Sequence, residues 1–87
     1  MNVRISITPE DIRDGLKHSC RQCPVALAAN RSLPDGWTAA VGITRMTLEP
    51  RKGDARRAVF LPVEAQVFIC QFDAGESPAP FDFLIVL

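Results

Sequence analysis

The chain has 87 residues, in which ten basic residues balance ten acidic ones. Hydrophobic residues make up 47% of the chain and charged residues 23%, which is typical of a globular protein and excludes a disordered one. A chain of this length buries only about 60% of its unfolded surface when it folds. We therefore expect one domain over residues 1–87, and self-association as a dimer or larger oligomer to supplement a small core.

The sequence also bears on the compartment. It has no signal-peptide pattern, and no apolar stretch approaches the roughly 18 residues of a membrane span. Three cysteines would leave one unpaired in a closed disulfide framework, so reduced thiols are the simpler interpretation. These features predict a cytoplasmic protein that does not bind membranes.

The first half of the chain predicts one strand and two helices. Alternating apolar residues indicate a strand over residues 2–7 with one face buried. Thr8 supplies an N-cap for a short helix that begins at Pro9 and ends near His18. A second helix, apolar nearly all round and therefore buried, is predicted over residues 24–32.

The second half predicts a hairpin, a helix and a last strand. Residues 37–48 are mostly β-branched, aromatic or small, with Gly42 as a candidate bulge, and residues 57–61 form the returning strand. A stripe of apolar residues at helical spacing predicts a third helix over residues 62–74, which Gly75 ends. Residues 81–87 are the last strand.

The resulting order, β-α-α-β-β-α-β, indicates an α+β fold with a four-stranded, largely antiparallel sheet and helices packed on one face. Six of the seven residues in the last strand are apolar. An exposed edge of that kind would aggregate. We therefore expect this strand to lie centrally in the sheet or to be covered by a second copy of the chain.

Positive charge concentrates in residues 45–57, whereas residues 58–87 contain four acidic residues and no basic ones. A basic cluster at a hairpin tip can bind an acidic protein surface or the phosphates of a small nucleotide. An ordinary solvated loop explains the same pattern. The zero net charge and the lack of interleaved aromatics argue against nucleic acid. An indole after a turn often marks a contact surface. The candidate binding residues are therefore this tryptophan and five basic residues: Trp37, Arg45, Arg51, Lys52, Arg56 and Arg57.

Zinc and thiol chemistry have four candidate residues: His18, Cys20, Cys23 and Cys70. The Cys20-x-x-Cys23 spacing is typical of zinc knuckles. Before a helix that begins at Pro24, the pair also resembles a redox site, where the helix dipole lowers a thiol pKa.

Other features argue against both kinds of site. Zinc would need a second local ligand pair, and Cys70 is expected to pack as a small hydrophobe beside the third helix. A thioredoxin-like site would follow a buried strand. The chain also has no serine nucleophile elbow and no glycine-rich phosphate loop. We therefore predict structural thiols, no metal, no cofactor and no enzymatic activity.

Several short segments carry a resemblance: residues 7–12, Gly15 and residues 23–28, followed by residues 61–62, 72–75 and 80–83. Together they resemble a family of small proteins encoded by phages of actinobacteria, whose activity is not established. The resemblance implies a phage accessory protein in the bacterial cytoplasm. Small phage proteins of this sort often bind and disable a host or defence protein.

The leading hypothesis is a non-enzymatic, homo-oligomeric binding protein that recognises a host or defence protein. The alternatives are a protein that sequesters a phosphate-bearing signalling nucleotide between subunits, and a zinc or thiol-redox site.

Overall fold

The computed structural model describes residues 2–86. Along this part of the chain, five strands and three helices follow one another in the order β1 (Asn2–Ile7), α1 (Pro9–Asp14), α2 (Pro24–Ser32), β2 (Trp37–Val41), β3 (Arg45–Pro50), β4 (Arg57–Phe60), α3 (Val63–Asp73) and β5 (Phe81–Val86). The predicted β1 and α2 have the bounds that their sequence patterns indicate.

The strands form two antiparallel sheets. One sheet contains β1 and β5, which pair from Asn2 opposite Val86 to Ile7 opposite Phe81. The other is a meander in the order β2-β3-β4. The α+β class is confirmed, but the prediction of a single four-stranded sheet is wrong. The helices do not share one face of one sheet either, since α2 contacts both β1 and β2.

The extra strand arises because the predicted strand over residues 37–48 reverses direction in its middle. Gly42 N–H donates to the Arg45 carbonyl at 2.8 Å, which closes a turn over residues 42–44. The two halves then pair, with Ala39 opposite Leu48 and Val41 opposite Met46. All four of those side chains are buried. Gly42 therefore begins a turn and is not a bulge.

Helix α1 ends at Asp14, four residues before the predicted end. Gly15 is extended, with φ −69° and ψ 153°, and its N–H donates to the Asp11 carbonyl. A Cβ at this position would lie 2.6 Å from the Pro24 Cδ. Only glycine fits here, because the start of α2 packs against the end of α1.

Helix α3 begins at Val63, with Pro62 as its N-cap, and its apolar stripe is buried as predicted. The stripe consists of Ala65, Phe68, Ile69 and Phe72. Phe68 packs against Phe81 of β5 with ring centroids 5.4 Å apart. Gly75 adopts φ +88°, the left-handed conformation that ends a helix. The contact between Phe68 and Phe81 joins α3 to the two-stranded sheet.

The core lies around α2 and the inner faces of both sheets. The α2 residues Val25, Ala26, Ala28 and Ala29 are fully buried, which confirms the prediction of a buried helix. Small alanine side chains allow the neighbouring strands to approach closely. In the part of the chain described, no helix is long and apolar enough to cross a membrane.

Strand β5 has one buried and one exposed face. Phe83 and Ile85 are buried, whereas Leu84 is 56% exposed and Val86 is 69% exposed. The prediction of a central strand is wrong, because among residues 2–86 β5 pairs with β1 alone. The alternative, in which a second copy covers it, stays a prediction. Leu87, the predicted last residue of this strand, lies outside the described residues.

Candidate functional site

The basic cluster forms the connection between β3 and β4 and includes Arg57, the first residue of β4. We call residues 51–57 the basic loop. Every residue in it is exposed. Gly53 adopts φ +89°, which allows the chain to reverse. Arg51 N–H donates to the Gly36 carbonyl at 2.7 Å and ties the base of the loop to the turn before β2. The loop is thus anchored at its base and open to solvent along its length.

Most arginines outside the loop are paired, whereas those within it are not; Arg45 is the one unpaired arginine outside the loop among residues 2–86. Four arginines elsewhere contact carboxylates: Arg4 with Asp82, Arg13 with Asp14, Arg21 with Glu49, and Arg31 with Asp11. Within residues 2–86, the four cations of the basic loop make no ion pair. They are Arg51, Lys52, Arg56 and Arg57. These four charges are therefore available to another molecule.

Glu49 does not neutralise the basic loop, although it lies only two positions before Arg51. Its Oε1 accepts from the Arg21 guanidinium at 3.2 Å, so its charge is engaged by the segment that precedes α2. Asp54 is then the only carboxylate in the loop, and four cations less one anion give a net charge of +3. Because Glu49 is paired elsewhere, the basic loop is more uniformly basic in the structure than the sequence around it suggests.

Two candidate binding residues are placed differently from the loop. Trp37 is half-buried and packs against the core, opposite Pro50 at the base of the loop. Arg45 is exposed but begins β3, five residues before the end of that strand at Pro50. Arg57, at the end of the loop, lies opposite Leu48, which is about 10 Å along β3 from Arg45 and places the two side chains on opposite faces of the sheet. The structure therefore does not bring Arg45 into the same patch as the loop cations.

Three of the four metal or thiol candidates lie in one cleft. The cleft has a volume of about 230 Å³, and we call it the thiol cleft. Its lining residues are His18, Ser19, Cys20, Cys23, Val41, Ile43, Ile69 and Asp73. Cys70 is not among them. It is exposed on α3, so the prediction that it packs as a buried hydrophobe is wrong.

His18 is joined to the end of α3. It adopts φ +57°, the left-handed region, and its backbone N–H donates to Asp73 Oδ1 at 3.0 Å. Its ring Nδ1 lies 3.8 Å from Asp73 Oδ2. The sequence shows no partner for this histidine, because the two residues are 55 positions apart and no local pattern relates them.

The segment between α1 and α2 is held by backbone hydrogen bonds. Leu16 N–H donates to the Gln22 carbonyl at 2.8 Å, and Cys23 N–H donates to the Ser19 carbonyl at 3.1 Å. The Cys20 carbonyl accepts from Val41 N–H at 2.7 Å, which attaches the segment to β2. The two cysteines of the cleft are thus fixed relative to both the sheet and the helix.

Cys23 is a buried N-cap. Its Sγ accepts from Ala26 N–H at 3.4 Å, and the residue is 5% exposed. Burial raises the pKa of the Cys23 thiol, although the backbone N–H groups at the start of α2 act in the opposite direction. A lowered pKa, expected from the helix dipole, is therefore wrong for Cys23. Loss of hydration outweighs the dipole when the thiolate is enclosed.

The placement of these side chains does not support zinc. Among residues 2–86, no group of three or more His, Cys, Asp or Glu side chains is positioned to hold a metal ion. His18, Cys20, Cys23 and Asp73 share a cleft but do not converge on one point. Tetrahedral zinc needs its ligands to converge at about 2.0–2.3 Å from the ion.

Comparisons with protein-family models, with curated proteins and with solved structures find no match for this chain. The resemblance to phage proteins of actinobacteria therefore stays a prediction.

Proposed function

We propose that this chain is a non-enzymatic binding protein whose basic loop recognises an acidic surface on another protein. The observation that carries the proposal is the contrast in pairing. Four of the five arginines elsewhere in residues 2–86 contact carboxylates, with Arg45 as the exception, whereas none of the four loop cations does. Unpaired like charges on one short loop repel one another. Carboxylates from a partner would relieve that repulsion and accept hydrogen bonds from the arginine forks.

The shape of the loop favours a protein surface over a small ligand. Small molecules are usually recognised in concave pockets that enclose most of their surface. Every residue of the basic loop is exposed, which suits contact with an extended surface. A phosphate-bearing nucleotide would need a second copy of the chain to enclose it. The resemblance to phage proteins implies a host or defence protein as the partner.

Lysine cross-linking tests this proposal, because the chain contains only two lysines, Lys17 and Lys52. Lys52 lies in the basic loop, and Lys17 lies in the segment after α1. The protein is incubated in an actinobacterial lysate with an amine-reactive cross-linker, and linked peptides are identified by mass spectrometry. We expect a defined partner whose links to this chain come from Lys52, close to an acidic segment of the partner.

Two triple variants provide the comparison. Replacing Arg51, Arg56 and Arg57 by Gln removes the charge, whereas replacing them by Lys retains it. We expect the affinity of the Gln variant for the partner to fall by at least about tenfold, and the Lys variant to retain part of the binding. Thermal unfolding confirms that both variants are folded.

Three results would contradict the proposal: no defined partner, a partner linked through Lys17 alone, or equal capture by the Gln variant. A nucleoside polyphosphate that stabilises the wild type but not the Gln variant would replace the protein partner with a nucleotide.

A further inference from the structure

We propose that Cys20 and Cys23 form a dithiol site that exchanges with low-molecular-weight disulfides and closes an intramolecular bridge. The inference goes beyond the proposed function and uses different residues. It stands on the backbone geometry of the Cys20–Cys23 turn, the unequal exposure of the two thiols and the cleft that both of them line.

The backbone holds the two residues at bridging distance. The hydrogen bond from Cys23 N–H to the Ser19 carbonyl closes a single helical turn around residues 20–22. In such a turn, residues three apart have Cα atoms about 5 Å apart, with their side chains on the same face. Disulfides join residues whose Cα atoms are roughly 4.4–6.8 Å apart. A bridge therefore fits without unwinding the turn.

The two thiols differ in their access to solvent. Cys20 is exposed, whereas Cys23 is buried at the start of α2. Both line the thiol cleft. An external disulfide can reach Cys20 first, and the mixed disulfide then lies within reach of Cys23. This arrangement assigns Cys20 as the attacking thiol and Cys23 as the resolving thiol.

Three hydrogen bonds keep the segment in this position. They join Leu16 to Gln22 within the segment, His18 to Asp73 of α3, and Val41 of β2 to Cys20. Because these contacts are made by the folded protein alone, the fold raises the effective concentration of one thiol at the other above that in an unfolded chain.

The exchange consists of two balanced steps. The Cys20 thiol loses its proton to solvent, and its thiolate attacks one sulfur of the external disulfide, which releases one external thiolate. The Cys23 thiol then loses its proton and attacks the Cys20 sulfur of the mixed disulfide, which releases the second external thiolate. The protein loses two electrons and two protons, and the external disulfide is reduced to two thiols.

The experiment uses the full chain carrying Cys70→Ser, which leaves only the two cysteines of the site. The folded protein is equilibrated with mixtures of reduced and oxidised glutathione, quenched with acid and alkylated. Trypsin cleaves after Arg21 and places Cys20 and Cys23 in separate peptides, so a bridge appears as two linked peptides. The same titration in guanidinium gives the equilibrium constant for bridge formation in the unfolded chain.

We expect the folded protein to form the Cys20–Cys23 bridge with an equilibrium constant at least about tenfold above that of the unfolded chain. Adding Cys23→Ser should trap glutathione on Cys20, whereas adding Cys20→Ser should leave Cys23 largely unmodified. Serine is also a good N-cap, so Cys23→Ser preserves the start of α2.

Other outcomes overturn the proposal. A folded-to-unfolded ratio near one would mean that the fold does not hold the thiols together. Persistent glutathione on Cys20 in the Cys70→Ser protein would show that Cys23 does not resolve it. Equal modification of Cys20 and Cys23 in the single-thiol variants would remove the assignment of roles.

Discussion

At the scale of single residues, Asp11 joins three elements of the fold. It is the only buried charged residue among residues 2–86. Its carboxylate accepts a hydrogen bond from the Thr8 backbone N–H at 2.9 Å. It also accepts hydrogen bonds from both terminal nitrogens of the Arg31 guanidinium, at 2.9 and 2.8 Å. Arg31 also donates to the Ser6 carbonyl at 2.9 Å. The end of β1, the start of α1 and the end of α2 are thus held by one ion pair.

This ion pair makes stability depend on pH. The hydrogen bonds from Arg31 hold the pKa of Asp11 below its ordinary value of 3.8, although burial acts in the opposite direction. Because the pKa is lower in the folded state, the carboxylate stabilises the fold above the unfolded pKa. This contribution is lost as the pH falls through the folded pKa.

We expect Asp11→Asn to lower the free energy of unfolding by about 2 kcal/mol at neutral pH, because the amide keeps the shape but loses the charge. Below pH 3.8 the difference between the two proteins should shrink, since the carboxyl is protonated first in the unfolded wild type and only at lower pH in the folded protein. Urea unfolding of both proteins from pH 7 to pH 2 measures this difference. Asp14→Asn, at an exposed pair, is the control. A difference that does not change with pH would contradict the argument.

The sequence predicts only part of this residue-scale network. The Thr8 cap before Pro9 follows from local residue types, and the structure confirms it. Arg31 and Asp73 could not be assigned as the partners of Asp11 and His18. They lie 20 and 55 positions away from those residues, and only the folded chain brings them together.

At the scale of elements, a predicted helix or strand boundary agrees with the structure where that boundary has a local chemical cause. Helix α2 begins at a proline and has the predicted bounds. The turn at residues 42–44 was missed because Ile43 and Thr44 are typical of strands and not of turns. Helix α1 ends four residues early, at an extended Gly15 that packs against Pro24 of α2. That contact joins two helices, so the residue types within α1 do not predict it.

Gly15→Ala tests the contact between α1 and α2. Gly15 has a negative φ, so an added Cβ causes steric overlap and no backbone strain. That Cβ would lie 2.6 Å from Pro24 Cδ and 2.8 Å from the Asp11 carbonyl oxygen. We expect the variant to lose about 2 kcal/mol of stability in chemical denaturation.

Gly42→Ala is the matched control for this prediction. Its added Cβ meets only the Arg45 carbonyl oxygen, at 3.2 Å. We expect it to lose clearly less stability than Gly15→Ala. Equal losses would mean that the packing of α1 against Pro24 is not what requires glycine at position 15.

At the scale of the whole molecule, two sheets replace the one sheet that was predicted, and each leaves a strand edge open. The outer edges of β4 and β5 have no strand partner among residues 2–86. The outer edge of β2 differs, because the Cys20 carbonyl and the Asn30 side chain accept from the N–H groups of Val41 and Ala39. The order of elements could be derived largely from local patterns. Their division into sheets could not, since strand pairing depends on contacts between distant segments.

The open edges give a specific form to the prediction of self-association. Residues of β4 and β5 line a groove of about 480 Å³. Phe60 is 78% exposed beside it, and Leu84 and Val86 are 56% and 69% exposed. Unpaired edges with large apolar side chains favour pairing with another strand. The small core of a short chain also gains from added burial. A second copy of the chain is therefore the expected partner for this surface.

Leu84→Lys tests this prediction, because an exposed lysine on an edge strand opposes edge-to-edge pairing. We expect sedimentation equilibrium to give a dimer or larger oligomer for the wild type and a shift toward monomer for Leu84→Lys. Val67→Lys is the control, since Val67 is 48% exposed on α3 and does not line the groove. A monomeric wild type at all concentrations would contradict the prediction. Equal effects of the two lysines would show that the chain associates through apolar surface in general and not through the edge of β5.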